Sequence, residues 1–188
     1  YKKRKKLNLN FLSNFRPQKD FFTFLKSLEI LNNKKINFKC YMAGQYVNKK
    51  NKKLKNLIED FNLTDKIVLL GELKNTKSFF EKIDYLVSSS SFGESFPNVI
   101  AESMLQGIPC ISTNVGDTKR IISNLGWICE PSNPKKLSLN IFKAIKYKER
   151  DKNSYIELKQ KVRERIINKY HINFMCNKYS KLWKKIIN

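Results

Sequence analysis

The sequence predicts an α/β protein: a parallel sheet flanked by helices on both faces, followed by carboxyl-terminal helices. Three observations carry this expectation. Short apolar segments alternate with amphipathic helical segments six times between residues 7 and 147, which is the pattern of βα units whose strands lie parallel. The segment Ile67-Val68-Leu69-Leu70 is apolar throughout, as a central strand of a parallel sheet should be. All six glycines, at 44, 71, 93, 107, 116 and 126, fall at expected turns. Three of them follow strand ends, where sheets of this kind hold their ligands.

Taken in order, Leu7 to Ser13 reads as a strand, and Asp20 to Leu31 as a helix with Phe21, Phe24, Leu25 and Leu28 on one face. Ile36 to Ala43 is the second strand. It ends in Gly44, which lets the backbone turn closely past a ligand. Asn48 to Phe61 is a lysine-rich helix with Leu54, Leu57, Ile58 and Phe61 as its buried stripe. Ile67 to Leu73 is the third strand, Thr76 to Ile83 a short helix, and Asp84 to Val87 the fourth strand. A helix from Phe96 to Gln106 is closed by Gly107, and Cys110-Ile111 opens the next strand. Thr118 to Asn124 (helix), Trp127 to Glu130 (strand) and Lys135 to Lys146 (helix) complete a Rossmann-like core over 7–147. Residues 1–6 form a basic leader, and 151–188 carry two closing helices, one to Asn168 and one from Asn173 to Ile187. An aromatic stripe at Tyr179 and Trp183 admits two readings: packing on the protein's own sheet, or reaching toward a further domain.

Composition bounds the function. A chain of 188 residues supports one ordinary domain with a real core. With 41% hydrophobic residues it is not disordered, and no apolar run reaches membrane-spanning length. The basic start YKKRKK leads into an alternating segment, so no signal peptide is expected, and the chain is expected to be soluble. Cys40, Cys110, Cys129 and Cys176 show no C-x-x-C spacing, and three of them fall in expected buried strands. Neither zinc nor disulfides are expected, and a reducing cytoplasmic location follows. The formal net charge of +22 attracts anions: nucleotide sugars, an anionic membrane face touched peripherally, or nucleic acid. No recognition motif accompanies the charge, so nucleic acid is set aside.

The stretch from Ser88 to Gly116 organises the rest. Ser88 to Gly93 is a small-residue loop; Ser95 can cap the following helix, and Pro97 suits its first turn. The amides of Asn98 and Val99 then point out of a helix start, a ready anion site with phosphate as the natural ligand. Asn98, Glu102 and Gln106 form one polar stripe, while Val99, Ile100, Met104 and Leu105 are expected to face the core. Glu102, one turn inside, is placed to accept the hydroxyls of a ribose, and Glu94 to meet a group beyond the phosphates. The plainer reading is that Glu94 favours the helix dipole and Glu102 solvates an exposed face.

The run Gly93-Glu94-Ser95-Phe96-Pro97-Asn98-Val99-Ile100-Ala101-Glu102-Ser103-Met104, with Gly107-Ile108-Pro109-Cys110-Ile111-Ser112 and Asn114-Val115-Gly116, resembles the signature of family 4 glycosyltransferases. Glu94 and Glu102 match that family's E-x7-E pair. The resemblance runs over about residues 7 to 147. It implies a two-domain GT-B fold, of which this chain is the carboxyl-terminal, donor-binding half, and metal-independent transfer with retention of anomeric configuration. It also implies that the loop Asn14-Phe15-Arg16-Pro17-Gln18-Lys19 grips the donor diphosphate. Lys19 occupies the family's lysine position. The arginine position holds Asn14, with Arg16 two residues later, so either one takes that role. The Gly71 turn matches the place where the nucleobase binds through backbone atoms, and Gly44, Ser95, Phe96 and Pro97 are further expected donor-binding residues.

The implied function is the donor-binding half of a retaining glycosyltransferase. It would move a sugar from a nucleotide-diphosphate sugar, UDP-sugars favoured, to a saccharide or lipid-linked acceptor in cell-surface polysaccharide or glycolipid synthesis. Glu94 and Lys19 are its expected catalytic residues. No cofactor or metal is expected, and the amino-terminal acceptor domain is expected to be absent from this chain, which alone would not transfer sugar. The opposing reading is a non-catalytic nucleotide-binding or interaction module with a basic surface. Absences narrow the field: there is no G-x-G-x-x-G, no G-x-x-x-x-G-K-[ST] and no D-x-D, and the single histidine, His171, lies in the tail.

Overall fold

Strand β1 (Leu7–Leu12) lies at the centre of the molecule, between two neighbours far from it in sequence. On one side Leu9 is in register with Cys40 of β2 (Phe38–Ala43), and on the other with Tyr85 of β4 (Tyr85–Ser88). With β3 (Ile67–Gly71), β5 (Cys110–Thr113) and β6 (Trp127–Cys129) the sheet has the order β3-β2-β1-β4-β5-β6, and every pair is parallel. This computed structural model describes residues 7–75, 77–81 and 83–187; the basic leader 1–6 lies outside the described residues.

Alternation along β1 sorts the two faces. Leu7, Leu9 and Phe11 join a core with Phe24, Leu28 and Leu31 of α1 (Phe21–Asn33) and Leu137, Ile141 and Ala144 of α6 (Pro134–Arg150). On the other face, Leu86 packs with Ile100 and Met104 of α4 (Asn98–Leu105) and with Val162 and Ile166 of α7 (Lys152–Tyr170). The remaining helices are α2 (Lys52–Asp60), α3 (Lys77–Phe80), α5 (Thr118–Ile122) and α8 (Ile172–Ile187). A doubly covered parallel sheet explains the apolar strands, but β3, whose apolar run suggests a central strand, lies at the edge of the sheet, where cover is incomplete and Leu70 is exposed. Tyr85, fully buried, satisfies its hydroxyl by donating to the Ala144 carbonyl at 2.7 Å, and burial raises its pKa.

Several elements start or stop elsewhere than the sequence suggests. Helix α2 begins at Lys52 rather than Asn48, because the Asn51 side chain accepts from the Leu54 amide and fixes the cap there. Helix α6 extends to Arg150, where Asp151 takes over as cap of α7 by accepting from Asn153 and Ser154. In the expected helix from 76 to 83, residues 76 and 82 lie outside the described ones, and α3 is a single turn. Leu105, expected in the core, is 38% exposed, because α4 ends there and turns at Gln106. Cys40, Cys110 and Cys129 are buried, as their strand positions imply, and Cys176 is exposed. Burial raises all three thiols, Cys129 to about 11, so they remain protonated. The order places a topological switch between β1 and β4, whose following loops run in opposite directions and leave a crevice at the carboxyl ends of the strands.

Candidate functional site

The crevice is built from three loops stitched together by backbone contacts. After β1, the Ser13 amide donates to Ala43 at 2.9 Å, the Asn14 side-chain oxygen accepts from the Gln45 amide at 2.9 Å, and the Phe15 amide donates to Gln45. A Cβ at Gly44 would stand 2.2 Å from the Ser13 carbonyl oxygen, so only glycine lets the β2 loop lie this close to the β1 loop. The chain then makes a 3₁₀ turn at Pro17–Lys19 and enters α1 through Asp20, whose side chain accepts from the Thr23 amide.

The serines after β4 tie that turn to the next loop. Ser89 Oγ donates to the Lys19 carbonyl at 2.7 Å, and the Ser91 amide donates to the Gln18 carbonyl at 2.8 Å. Ser90 Oγ donates to Glu94 Oε1 at 2.8 Å, while Thr113 Oγ1 donates to the Ser90 carbonyl. Held in this way, Glu94 forms an ion pair with Lys19 Nζ. The two side chains are 14% and 24% exposed, so the pair is shielded yet reachable from the cleft. Gly116 closes the arrangement from below: a Cβ there would meet the Glu94 and Ser95 carbonyl oxygens at 2.3 and 2.6 Å.

Helix α4 starts at Asn98 with extended Pro97 as its cap, two residues later than the sequence suggests, and no side chain caps it. Ser95 cannot cap it, because the chain around Ser95 is drawn down onto the β5 loop, with the Asp117 amide donating to the Ser95 carbonyl at 2.8 Å. The Asn98 and Val99 amides thus belong to the turn that a helix leaves without intrahelical partners, and both residues line the cleft.

This cleft has a volume of about 480 Å³. Asn14, Arg16 and Lys19 from the β1 loop, Gly44 from the β2 loop, and Glu94, Phe96, Pro97, Asn98, Val99 and Glu102 from the α4 side all line it. Arg16 is exposed and, among the described residues, has no carboxylate partner. Desolvation raises the Glu102 carboxyl above its ordinary 4.5, although the side chain still reaches solvent. Of the residues singled out from sequence, Ser95 and Gly71 are not among the lining ones. Gly71 ends β3, donating to the Val47 carbonyl and accepting from the Gly44 amide. Its outward side is open, with Asn48 Cβ 3.8 Å from where a Cβ would stand. Ser90 and Gln18 are positioning residues that sequence reasoning missed, and Gly116, read there only as a turn and signature residue, is a third. Gln18 and Gly116 act on segments distant in the chain, whereas Ser90 acts within its own loop on Glu94.

Residues 2–165 match the family described as glycosyl transferases group 1. The chain belongs to that family. Over 133 residues it is 23% identical to the N-acetyl-alpha-D-glucosaminyl L-malate synthase of Bacillus anthracis, covering 70% of this chain and 34% of that enzyme. Among solved structures, a glycosyltransferase from Rickettsia africae ESF-5 superposes with a TM-score of 0.85 at 23% identity, covering 98% of this chain and 48% of that one. Anabaena HepE, solved in complex with UDP and glucose, gives a TM-score of 0.79 at 14% identity, over 96% of this chain and 48% of that one. The six-stranded parallel sheet with its flanking helices therefore matches GT-B glycosyltransferases in fold. This group 1 chain spans between a third and a half of the length of these relatives.

Proposed function

We propose that this glycosyl transferases group 1 chain is the donor-binding half of a retaining glycosyltransferase, taking a nucleotide-diphosphate sugar with UDP-sugars favoured. The single observation that carries the reading is the convergence of Lys19, Glu94, Glu102 and the α4 amides on one cleft at the β1/β4 switch point. The diphosphate sits against the α4 amino terminus, between the Asn98 and Val99 amides and the cations Lys19 and Arg16. As the bond from the sugar to the diphosphate breaks, negative charge builds on the leaving oxygen, and these fixed donors stabilise it. Glu102 accepts the ribose hydroxyls, and Glu94 faces the transferred sugar.

Asn14 has its side-chain oxygen committed to the Gln45 amide, which favours Arg16 as the second phosphate cation and Asn14 as its scaffold. At the end of β3, Gly71 has φ 73° and only Asn48 Cβ, at 3.8 Å, near the place of a side chain, which suits a base lying along its backbone. A second half, supplied from outside these 188 residues, would orient the acceptor and exclude water, and without it the chain binds donor but does not transfer sugar. Binding without a divalent metal, a saccharide or lipid-linked acceptor, and a cytoplasmic site of action belong to the same proposal. UDP-bound Anabaena HepE, a relative in fold, supports the choice of base. Equilibrium titration with UDP, GDP and a panel of their sugars tests the reading: a preference for one sugar-bearing nucleotide is expected. Equal binding of all nucleotides, indifferent to the sugar, favours the module reading instead.

A further inference from the structure

Helix α5 has five residues, well below the length at which a helix holds itself in water, so its position is set by what it packs against. Ile121 and Ile122 are buried with Ile100 and Met104 of α4 and with Val162 and Ile166 of α7. The carbonyls of its last turn, which a helix leaves without intrahelical partners, are taken up by α7. Arg165 Nε donates to the Ile121 carbonyl and Arg165 Nη2 to the Arg120 carbonyl, both at 2.6 Å. Tyr170 Oη donates to the same Arg120 carbonyl at 3.1 Å, and its ring packs 5.5 Å from that of Phe96, a cleft residue. The other end of α5 meets the loop that carries Glu94. The amide of Asp117, its N-cap, donates to the Ser95 carbonyl at 2.8 Å. Gly116 lies so close that a Cβ there would stand 2.3 and 2.6 Å from the Glu94 and Ser95 carbonyl oxygens. From the Arg165 guanidinium through α5 to the backbone of Glu94, each step is a hydrogen bond, a covalent link or a close contact.

We propose that Arg165 is a positioning residue for Glu94. It braces the carboxyl end of α5, which keeps Gly116 and Asp117 against residues 94 and 95 and so sets where the Glu94 carboxylate stands in the cleft. The proposal rests on the donor-site reading, in which Glu94 faces the transferred sugar and Glu102 the ribose. Two features select Arg165 for this task. Its guanidinium is a rigid planar fork whose donors meet two successive carbonyls at once, which the single ammonium of a lysine does not reproduce. The segment that leads into α4 has no side-chain cap, so its backbone leans on Gly116 and Asp117. Ser90 and Lys19 hold the Glu94 side chain itself, and they orient it usefully only while the backbone beneath stays in place. Tyr155 of the same helix α7 makes a comparable hydrogen bond that leads to no cleft residue: its hydroxyl donates to the Asp84 carbonyl at 2.7 Å, ahead of the amino end of β4.

The test is calorimetric titration of UDP and of UDP-glucose into wild type, Arg165→Gln, Arg165→Lys, Tyr155→Phe and Glu94→Ala, with urea unfolding of each. Arg165→Gln should weaken UDP-glucose by about three- to thirtyfold, the range for residues that act on a site without touching its ligand, and should leave UDP unchanged. Arg165→Lys, which keeps a donor for one of the two carbonyls, should recover part of the loss. Tyr155→Phe should lower the urea midpoint and leave both affinities as they are, which separates positioning from stability. Combined with Glu94→Ala, Arg165→Gln should bring no further sugar-selective loss, because both changes then remove one and the same interaction. The proposal is overturned if Arg165→Gln leaves UDP-glucose unaffected, weakens UDP to the same extent, or keeps its full effect in the Glu94→Ala background, and equally if Tyr155→Phe shows the same selectivity. In each of those cases a sugar-selective loss in Glu94→Ala alone still upholds the donor-site reading. If Glu94→Ala shows no such loss, that reading fails, and the role of Arg165 fails with it.

Discussion

Lys19 and Glu94, 75 residues apart in sequence, form an ion pair at the floor of the cleft, and Ser90 donates to the same carboxylate oxygen. The pair joins the loop after β1 to the loop after β4 across the switch point. A donor bound as proposed would therefore share Lys19 with Glu94.

Replacing Lys19 by Ala is therefore expected to weaken UDP binding by about 1.5–3 kcal/mol, the usual worth of a hydrogen bond to a charged group. Uridine, which lacks the phosphates, should bind the variant as it binds the wild type. Calorimetric titration of both ligands checks this, and a parallel loss for uridine would mean that the lysine supports the fold of the loop instead.

Gly116 is expected to tolerate no side chain. Its φ is 57°, and a Cβ would press on the Glu94 carbonyl oxygen at 2.3 Å. Gly116→Ala should cost about 1–3 kcal/mol in urea unfolding and should displace Glu94, weakening a sugar-bearing donor. An unchanged unfolding midpoint would show that the β5 loop yields without strain.

Glu102 gives the cleft a pH dependence in the acid range. Its carboxyl is raised above 4.5 by desolvation, so the folded chain holds this proton more tightly than the unfolded chain does. Its contribution to stability therefore falls as pH rises from the unfolded value through the raised one. Donor affinity should move the opposite way in that window, since only the carboxylate accepts both ribose hydroxyls. The difference between wild type and Glu102→Gln isolates this from titration of the nucleotide. Identical pH profiles would remove Glu102 from the ribose.

Chelation is expected to leave UDP affinity unchanged. Lys19, Arg16 and the first residues of α4 line the cleft in which the diphosphate is proposed to sit, and the sequence carries no D-x-D. Titration in EDTA and again in magnesium decides the matter; loss of binding in EDTA would require a metal at the diphosphate.

The alternation of strands and helices was legible because each strand of a doubly covered sheet must be apolar, and each helix amphipathic. The strand order was not, since nothing within β1 or β4 states that Leu9 lies beside Tyr85. Glu94 and Glu102 stood out by their spacing around a helix start. The start itself was misplaced because Ser95 looks like a cap, whereas its carbonyl is held by Asp117 from another loop. The serines at 89 and 90 read only as loop residues; Lys19, which accepts from the Ser89 hydroxyl, and Thr113, which donates to the Ser90 carbonyl, come from other βα units. For α8 the periodicity was clear, but sequence alone left open whether the apolar arc packs on the protein's own sheet or reaches toward a further domain, and the exposure of Trp183 removes the first reading.

The division of labour between the two glutamates is the most direct test of the central claim. UDP and a UDP-sugar are titrated calorimetrically into wild type, Glu94→Ala and Glu102→Ala. Loss of Glu102 should weaken both ligands by about 1.5–3 kcal/mol. Loss of Glu94 should leave UDP as tight as before or tighter, because Lys19 is released to the phosphates, and should weaken only the UDP-sugar. Equal effects of both substitutions on both ligands, or no binding of either ligand by the wild type, would contradict the account.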